Sequence, residues 1–320
     1  MESQTWTAEL RRWLDECARE AGFDASGIAE VSDSDSPAAA EEAKRFSEWV
    51  ESGRAGEMEY LKRRDEDGTL FRSALQVALP WARSVIVCAL NYNADAAKSI
   101  DPAPAETGWI ARYAWSGRTL DDGTCVPTDY HNELLGRLRR IETGLLEQTG
   151  CTTRSYVDTG PLLERSLAAQ AGVGWIGKNT CVLNQQLGSW ILLGVVVTSL
   201  PMEALEARPA ALHAADRCGS CTRCIDACPT DALLGSGSPD APREMDASRC
   251  VAYLTIEKKG AIDETLRGQM GRQVFGCDIC QDVCPWNRKA PIGDRDGMQA
   301  RPELVNPALD WLAAMDPREF

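Results

Sequence analysis

The chain carries the run Cys218-x2-Cys221-x2-Cys224-x3-Cys228-Pro229, which narrows its possible folds more than any other feature. Three thiolates at this spacing wrap one face of a cubane. The fourth, followed by proline, points away and reaches a second centre. This is the spacing with which bacterial ferredoxins hold [4Fe–4S] clusters. A second run, Cys277-x2-Cys280-x3-Cys284-Pro285, has one cysteine fewer, and Cys250 supplies the missing ligand from a distance. The count then closes. One cluster takes Cys218, Cys221, Cys224 and Cys284, and the other takes Cys228, Cys250, Cys277 and Cys280. Cys-x2-Cys is also zinc spacing, so a pair of structural zinc sites is the competing reading. The x2-x2-x3-Pro pattern favours clusters. The other five of the 13 cysteines, Cys17, Cys88, Cys125, Cys151 and Cys181, stand singly and read as small core residues.

Two clusters close together form an electron wire, and a wire needs a terminus. The rest of the 320 residues is long enough for a second, larger domain that holds a redox cofactor or a substrate. The longest apolar run, Ile191 to Val197, is far short of the ~18 residues of a bilayer span, so no membrane partner is expected. The charged start MESQTWTAELRRWLDE has no apolar signal core. The chain is therefore expected to be cytoplasmic, which also argues against reading the cysteines as a disulfide framework. Nothing in the sequence resembles a coiled coil or a swapped strand, and a monomer is expected.

A net charge of −14 argues against a uniformly basic nucleic-acid-binding face. The acidity is regional, however. Residues 1–70 hold 18 Asp and Glu against 9 Lys and Arg, while 250–290 is near neutral. Arg249, Lys258, Lys259, Arg267, Arg272, Arg288 and Lys289 crowd around the second cysteine run. They form either a cationic rim for phosphates or a solvated face with local ion pairs.

Periodicity supplies a coarse α/β (α+β) reading. Residues 5–21 read as a helix ending at Gly22, 84–90 as a buried strand and 130–147 as a helix. Residues 155–158 read as a short strand, 161–171 as a helix with Pro161 in its first turn, and 190–199 as a buried strand. Pro201–Pro209 reads as a linker, and GSGSPDAP at 235–242 as a loop inside the cysteine region. The expected domains are a catalytic domain over 1–205, a ferredoxin-like two-cluster domain over 206–290 and a C-terminal extension over 291–320.

Gly172-Val-Gly-Trp-Ile-Gly177-Lys178-Asn179-Thr180 matches G-x-G-x-x-G and nearly matches a phosphate loop. Both motifs need a preceding strand, and LLERSLAAQA before it reads as a helix. Nicotinamide binding and nucleotide hydrolysis are therefore set aside, and a tight turn is the plain alternative.

Several strings together resemble the epoxyqueuosine reductase family. They are Val157-Asp-Thr-Gly-Pro-Leu162, Gly174-Trp-Ile-Gly-Lys-Asn-Thr180, GEMEYL at 56–61, RSAL at 72–75 and ARSVIVCALNY at 82–92. CVAYLTIEKKGAI at 250–262 and GCDICQDVCPWN at 276–287 complete the set. The resemblance covers nearly the whole chain. It implies an oxidoreductase that reduces the epoxide of epoxyqueuosine to queuosine at the wobble base of tRNA. It also implies two [4Fe–4S] clusters and a cobalamin bound in the N-terminal domain, with electrons from an external low-potential donor.

The resemblance places the proton donor at Asp158. To donate at neutral pH its carboxyl must be protonated, as burial would favour. The plain alternative is a helix N-cap before Pro161. Corrin-binding segments correspond to Arg72, Arg112, Tyr113, Lys178, Asn179, Thr180, Tyr253 and Thr255. The plain alternatives are a solvated Lys178 and a core Tyr253. Asp129-Tyr130-His131-Asn132-Glu133-Leu134 fails D-x-H-x-x-G at its last position, so His131 reads as a hydrogen-bonded or substrate-site residue rather than a cobalt ligand. His213 has no assigned role. Trp175 and Trp286 are candidates for stacking on an extruded base. One departure stands out: an insertion at 116–128, including TLDDGTCVP, separates Tyr113-Ala-Trp115 from Asp129-Tyr130-His131. It adds a loop whose Cys125 has no assigned role. Two alternatives remain, another corrinoid reductase of dehalogenase type and an electron-transfer protein with no substrate of its own.

Overall fold

The structure is a computed structural model that describes residues 5–31, 36–202, 216–236, 238 and 243–316. His213, most of the expected 201–209 linker, part of the 235–242 loop and the expected boundary at 205/206 lie outside the described residues. The chain divides into two compact units. The first is Met1–Asn91, His131–Gly177 and Cys181–Arg217; the second is Tyr92–Tyr130, Lys178–Thr180 and Cys218–Phe320.

Unit one is built on a four-stranded antiparallel sheet. Its strands are β1 (Ala25–Glu30), β2 (Ser84–Asn91), β3 (Thr153–Tyr156) and β4 (Ile191–Thr198), in the order β1-β2-β4-β3. β2 is buried along its whole length, which explains why SVIVCALN reads as a continuous apolar run rather than an alternating one. Val85, Val87 and Ala89 point to one face and pack with Leu162, Ala168, Ala171, Val195 and Val197. That cluster includes α4 (Glu164–Gln170). α1 (Ala8–Glu20) is capped by Thr7, whose Oγ1 accepts from Leu10 N at 3.1 Å. α2 (Pro37–Glu51) follows β1, and α3 (Tyr130–Thr149) buries Leu134, Leu138, Ile141 and Leu145 at helical spacing. Leu138 packs over Gly194 of β4, where an added Cβ would stand 3.0 Å from its Cδ1.

One element differs from expectation. The helix expected from Pro161 begins at Glu164, with Leu163 in the capping position and no side-chain cap. Leu162 is 2% exposed and enters the sheet core, and 158–163 is an irregular run of bends instead of a helical turn.

Unit two has short elements. Trp109–Ile110 pairs in parallel with Gln273–Phe275. The 116–128 insertion is a β-hairpin of Ser116–Thr119 and Cys125–Pro127, and its first strand pairs with Gln299–Ala300. Trp109, Ile110, Trp115 and Leu304 form a small core, with the two indoles edge to face at 5.3 Å. The helices nearest the cysteines are four to six residues long. Elements this short gain little from their own hydrogen bonds and depend on cross-links.

Candidate functional site

Unit two holds the seven cysteines of the two runs and Cys250. Cys224 lies on the helix Arg223–Asp226 and Cys280 on Ile279–Asp282, and these two helices pack together. Cys250 precedes the helix Val251–Ile256, and Cys284 precedes the turn Pro285–Lys289. Burial, with Cys284 and Cys218 nearby, pushes the Cys224 thiol up to about 12. The Cys277 thiol is pushed up by burial, with Cys250, Asp278 and Cys228 adding to it. Each neighbouring cysteine belongs to the ligand set assigned to that residue in the sequence. Partly buried thiols that oppose one another's ionisation fit a cluster, because bound iron would hold each of them as a thiolate.

The loop bearing Cys277 and Cys280 is fixed by two buried carboxylates. Asp278 accepts from Arg112 N–H at 2.7 Å and from the Trp109 indole at 3.0 Å, and burial pushes it up to about 7. Asp282 accepts from Ser99 N–H at 2.8 Å and from Ser99 Oγ at 2.7 Å. Arg112 is 4% exposed; its guanidinium donates to Asn93 Oδ1 and to the carbonyls of Ala94 and Ala97, and stands 4.0 Å from Asp282. Sequence reasoning missed Asp278 and Asp282, although their places inside the second run were a usable signal.

The other residues expected to bind the corrin are spread over both units. Lys178 is 2% exposed and not solvated: its ammonium donates to Gly219 O at 2.7 Å, inside the first cysteine run. Asn179 and Thr180 are buried beside it. Thr180 has φ 61°, a costly conformation for a β-branched residue and one that concentrates at functional sites. Tyr113 meets Tyr130 edge to face at 5.9 Å and Phe275 at 6.2 Å. Tyr253 is 6% exposed, as a core aromatic would be. Thr255 Oγ1 donates to Val251 O and accepts the Gly276 N–H, each at 2.9 Å. Gly276, at φ 69°, leaves no room for a side chain, since a Cβ there would lie 2.5 Å from Ala111 Cβ. Trp175 is buried in unit one on a strand pairing with Leu183, so it is not placed to stack on a base; Trp286 is half-buried.

Unit one carries Asp158. Asp158 follows β3 at φ 58°, a left-handed conformation that aspartate tolerates. It is exposed, so the burial expected for it is absent, and it does not cap α4. The carboxyl that interacts with it is Glu164, the first residue of α4, half-buried with its Oε1 enclosed, which sequence reasoning passed over. Burial, with Asp158 nearby, pushes Glu164 up to about 7; Arg72 and Arg165 oppose the shift. Arg72 lies over the Tyr60 ring at 5.4 Å and donates to Leu162 O at 3.5 Å. His131 is half-buried at the start of α3. The two histidines gave no signal toward this cluster of Arg72, Asp158 and Glu164.

Residues 217–287 match a 4Fe-4S double cluster binding domain, which decides against the zinc reading, and residues 72–159 match the family model described as Epoxyqueuosine reductase QueG, DUF1730. The chain is 36% identical to an epoxyqueuosine reductase of Xanthomonas campestris pv. campestris, over 95% of this chain and 77% of that one. It is 37% identical to one of Synechocystis sp., over 90% of this chain and 88% of that one. A crystal structure of an epoxyqueuosine reductase with a tRNA-Tyr epoxyqueuosine-modified stem loop superposes with a TM-score of 0.76 at 29% identity, covering 98% of this chain and 74% of that one. The chain belongs to the epoxyqueuosine reductase family.

Proposed function

We propose that this protein reduces the epoxide of epoxyqueuosine in tRNA to the alkene of queuosine, with Asp158 donating a proton to the departing oxygen. The observation that carries the reading is Asp158 itself. It is an exposed carboxyl held in left-handed backbone at a strand end, in a chain that also bears a double-cluster domain. A Bacillus subtilis epoxyqueuosine reductase, 28% identical with a TM-score of 0.74, is described with its aspartate catalytic loop swung out of the active site. The 158–163 loop, irregular and uncapped, suits an acid of that kind.

The overall step takes two electrons and two protons: both C–O bonds break, the alkene forms and the oxygen leaves as water. An alkoxide is too basic to depart unprotonated, so a positioned acid is required. The family resemblance assigns the electrons to two clusters and a cobalamin, which when bound supplies a low-potential cobalt centre, and to an external low-potential donor. The eight cysteines would hold the clusters. Asn179, Thr180 and Tyr113 offer the neutral amide and hydroxyl chemistry that suits corrin amides, and Arg72 is a corrin-binding residue on the family resemblance alone. Arg112, Lys178 and Thr255 act by holding the loops around the cysteines. Tyr253 supports the same helix from the core.

The test uses full-length protein reconstituted anaerobically with iron, sulfide and cobalamin. Incubation with epoxyqueuosine-containing tRNA and a strong one-electron reductant should yield queuosine. Binding of cobalamin without queuosine formation would favour a dehalogenase-type corrinoid reductase, and no cobalamin binding at all would favour pure electron transfer. Asp158→Asn should keep cluster absorbance and tRNA affinity while turnover falls ~10²–10⁴-fold. Unchanged turnover would remove Asp158 from the role.

A further inference from the structure

Two protons are consumed at one oxygen, and Asp158 carries only one. The first C–O cleavage takes the Asp158 proton and leaves a carboxylate. The second must expel the same oxygen as water, because hydroxide leaves poorly, and so needs a second proton at the same place. Unit one carries a second carboxyl close enough to Asp158 for the two charges to act on one another. Glu164 begins α4, six residues after Asp158, and interacts electrostatically with Asp158, Arg72 and Arg165. Its Oε1 is buried and takes no hydrogen bond from any described residue, which an ionised carboxylate would tolerate poorly and a protonated one tolerates better.

We propose that Glu164 stores the second proton and passes it to Asp158 between the two C–O cleavages. The inference rests on the epoxide-reduction reading. Asp158 touches the substrate oxygen; Glu164 acts through Asp158. Electrons come from the low-potential donor through the clusters, and Glu164 regains its proton from water after the alkene and water have formed. Burial that holds Glu164 near 7 fits the role: the acid form prevails below neutrality and is lost as pH rises past it. Arg72 limits the shift and keeps the proton transferable.

Two measurements on the full reconstituted chain test this. The first is an infrared difference titration, which needs no activity. The wild type should lose protonated carboxylic absorption near neutral pH, part of it from the buried Asp278, and Glu164→Gln should lose a smaller amplitude by the share of one carboxyl. Equal amplitudes in the two proteins, or no such band in either, would overturn the proposal. The second is single turnover on epoxyqueuosine tRNA across pH. The wild-type rate should decline on the alkaline side of neutrality. Glu164→Gln should turn over ~10–100-fold more slowly with tRNA affinity unchanged and without that decline, and Glu164→Asp should restore much of the rate. A Glu164→Gln rate and pH profile equal to wild type would overturn the proposal. If Glu164→Gln does not fold, Glu164→Asp should still move the alkaline limb, and an unmoved limb would overturn it equally. A wild type that shows the infrared band but makes no queuosine would sink the reduction reading, and the role with it. A wild type that makes queuosine but shows no titrating carboxyl would sink this inference alone.

Discussion

At the scale of single residues, the site is governed by where charge is buried. Lys178 is an ammonium at 2% exposure, tied to the Gly219 carbonyl between two cysteines of the first run. A buried cation costs a great deal unless it is paired, so it is expected to answer to the negative charge of a thiolate-bound cluster. Lys178→Met keeps the length and removes the charge and the hydrogen bond. The cluster potential should then fall, since the reduced, more negative state loses a favourable neighbour. A loss of about 1 kcal/mol corresponds to about 40 mV for one electron. Redox titration followed by electron paramagnetic resonance measures it, and an unchanged potential would show that Lys178 only props the loop. Asp158 and Glu164 illustrate the same rule in reverse: the Asp158 carboxyl is exposed, while burial raises the half-buried Glu164 to about 7.

At the scale of elements, helices of four to six residues in unit two are positioned by side chains rather than by their own ladders. Thr255 is the clearest case, joining its helix to the backbone just before Cys277. Thr255→Val is nearly isosteric but leaves the Gly276 N–H without its acceptor. It should cost ~1–3 kcal/mol. Urea unfolding should show a lower midpoint at unchanged slope, and Thr255→Ser should recover most of the loss. In unit one the long elements were legible because each repeats one period many times: the apolar run of β2 and the four leucine and isoleucine positions of α3 leave little choice. The start of α4 was not legible. Proline in a first turn is a good local signal, but burial of Leu162 in the sheet core outweighs it.

At the scale of the whole molecule, the question is how an acidic chain meets an anionic substrate. Lys259, Arg267, Arg288 and Lys289 are the candidates, and all four are exposed. Arg249 is committed to the Thr230 carbonyl at 2.8 Å, and Arg272 packs on the Trp109 ring at 5.3 Å and donates to Gly108 O and Asn306 Oδ1. The basic sequence cluster thus splits into a solvent-facing set and a structural set. Replacing the solvent-facing four with alanine should weaken tRNA binding and lower the salt dependence by about 0.7–0.9 in slope for each phosphate left unneutralised, with the unfolding midpoint unchanged. Filter binding across a salt series reads both quantities. An unaltered slope would assign these residues to solvation. Among the described residues no helix is long and apolar enough to cross a membrane.

The sequence by itself determined the cluster chemistry, the mixed α/β character and the candidate acid, because each is written in local spacing: x2-x2-x3-Pro, unbroken or periodic apolar runs, and Asp158 before a Gly-Pro turn. Only the tertiary structure decided what long-range packing controls. It buried Arg112 and Lys178 against backbone carbonyls, turned the 116–128 insertion into a paired hairpin, and left Asp158 exposed and Glu164 half-buried. Burial is a property of what folds over a residue from far along the chain. No spacing rule could set the surroundings of Glu164, because they depend on Leu162 entering the core just before α4.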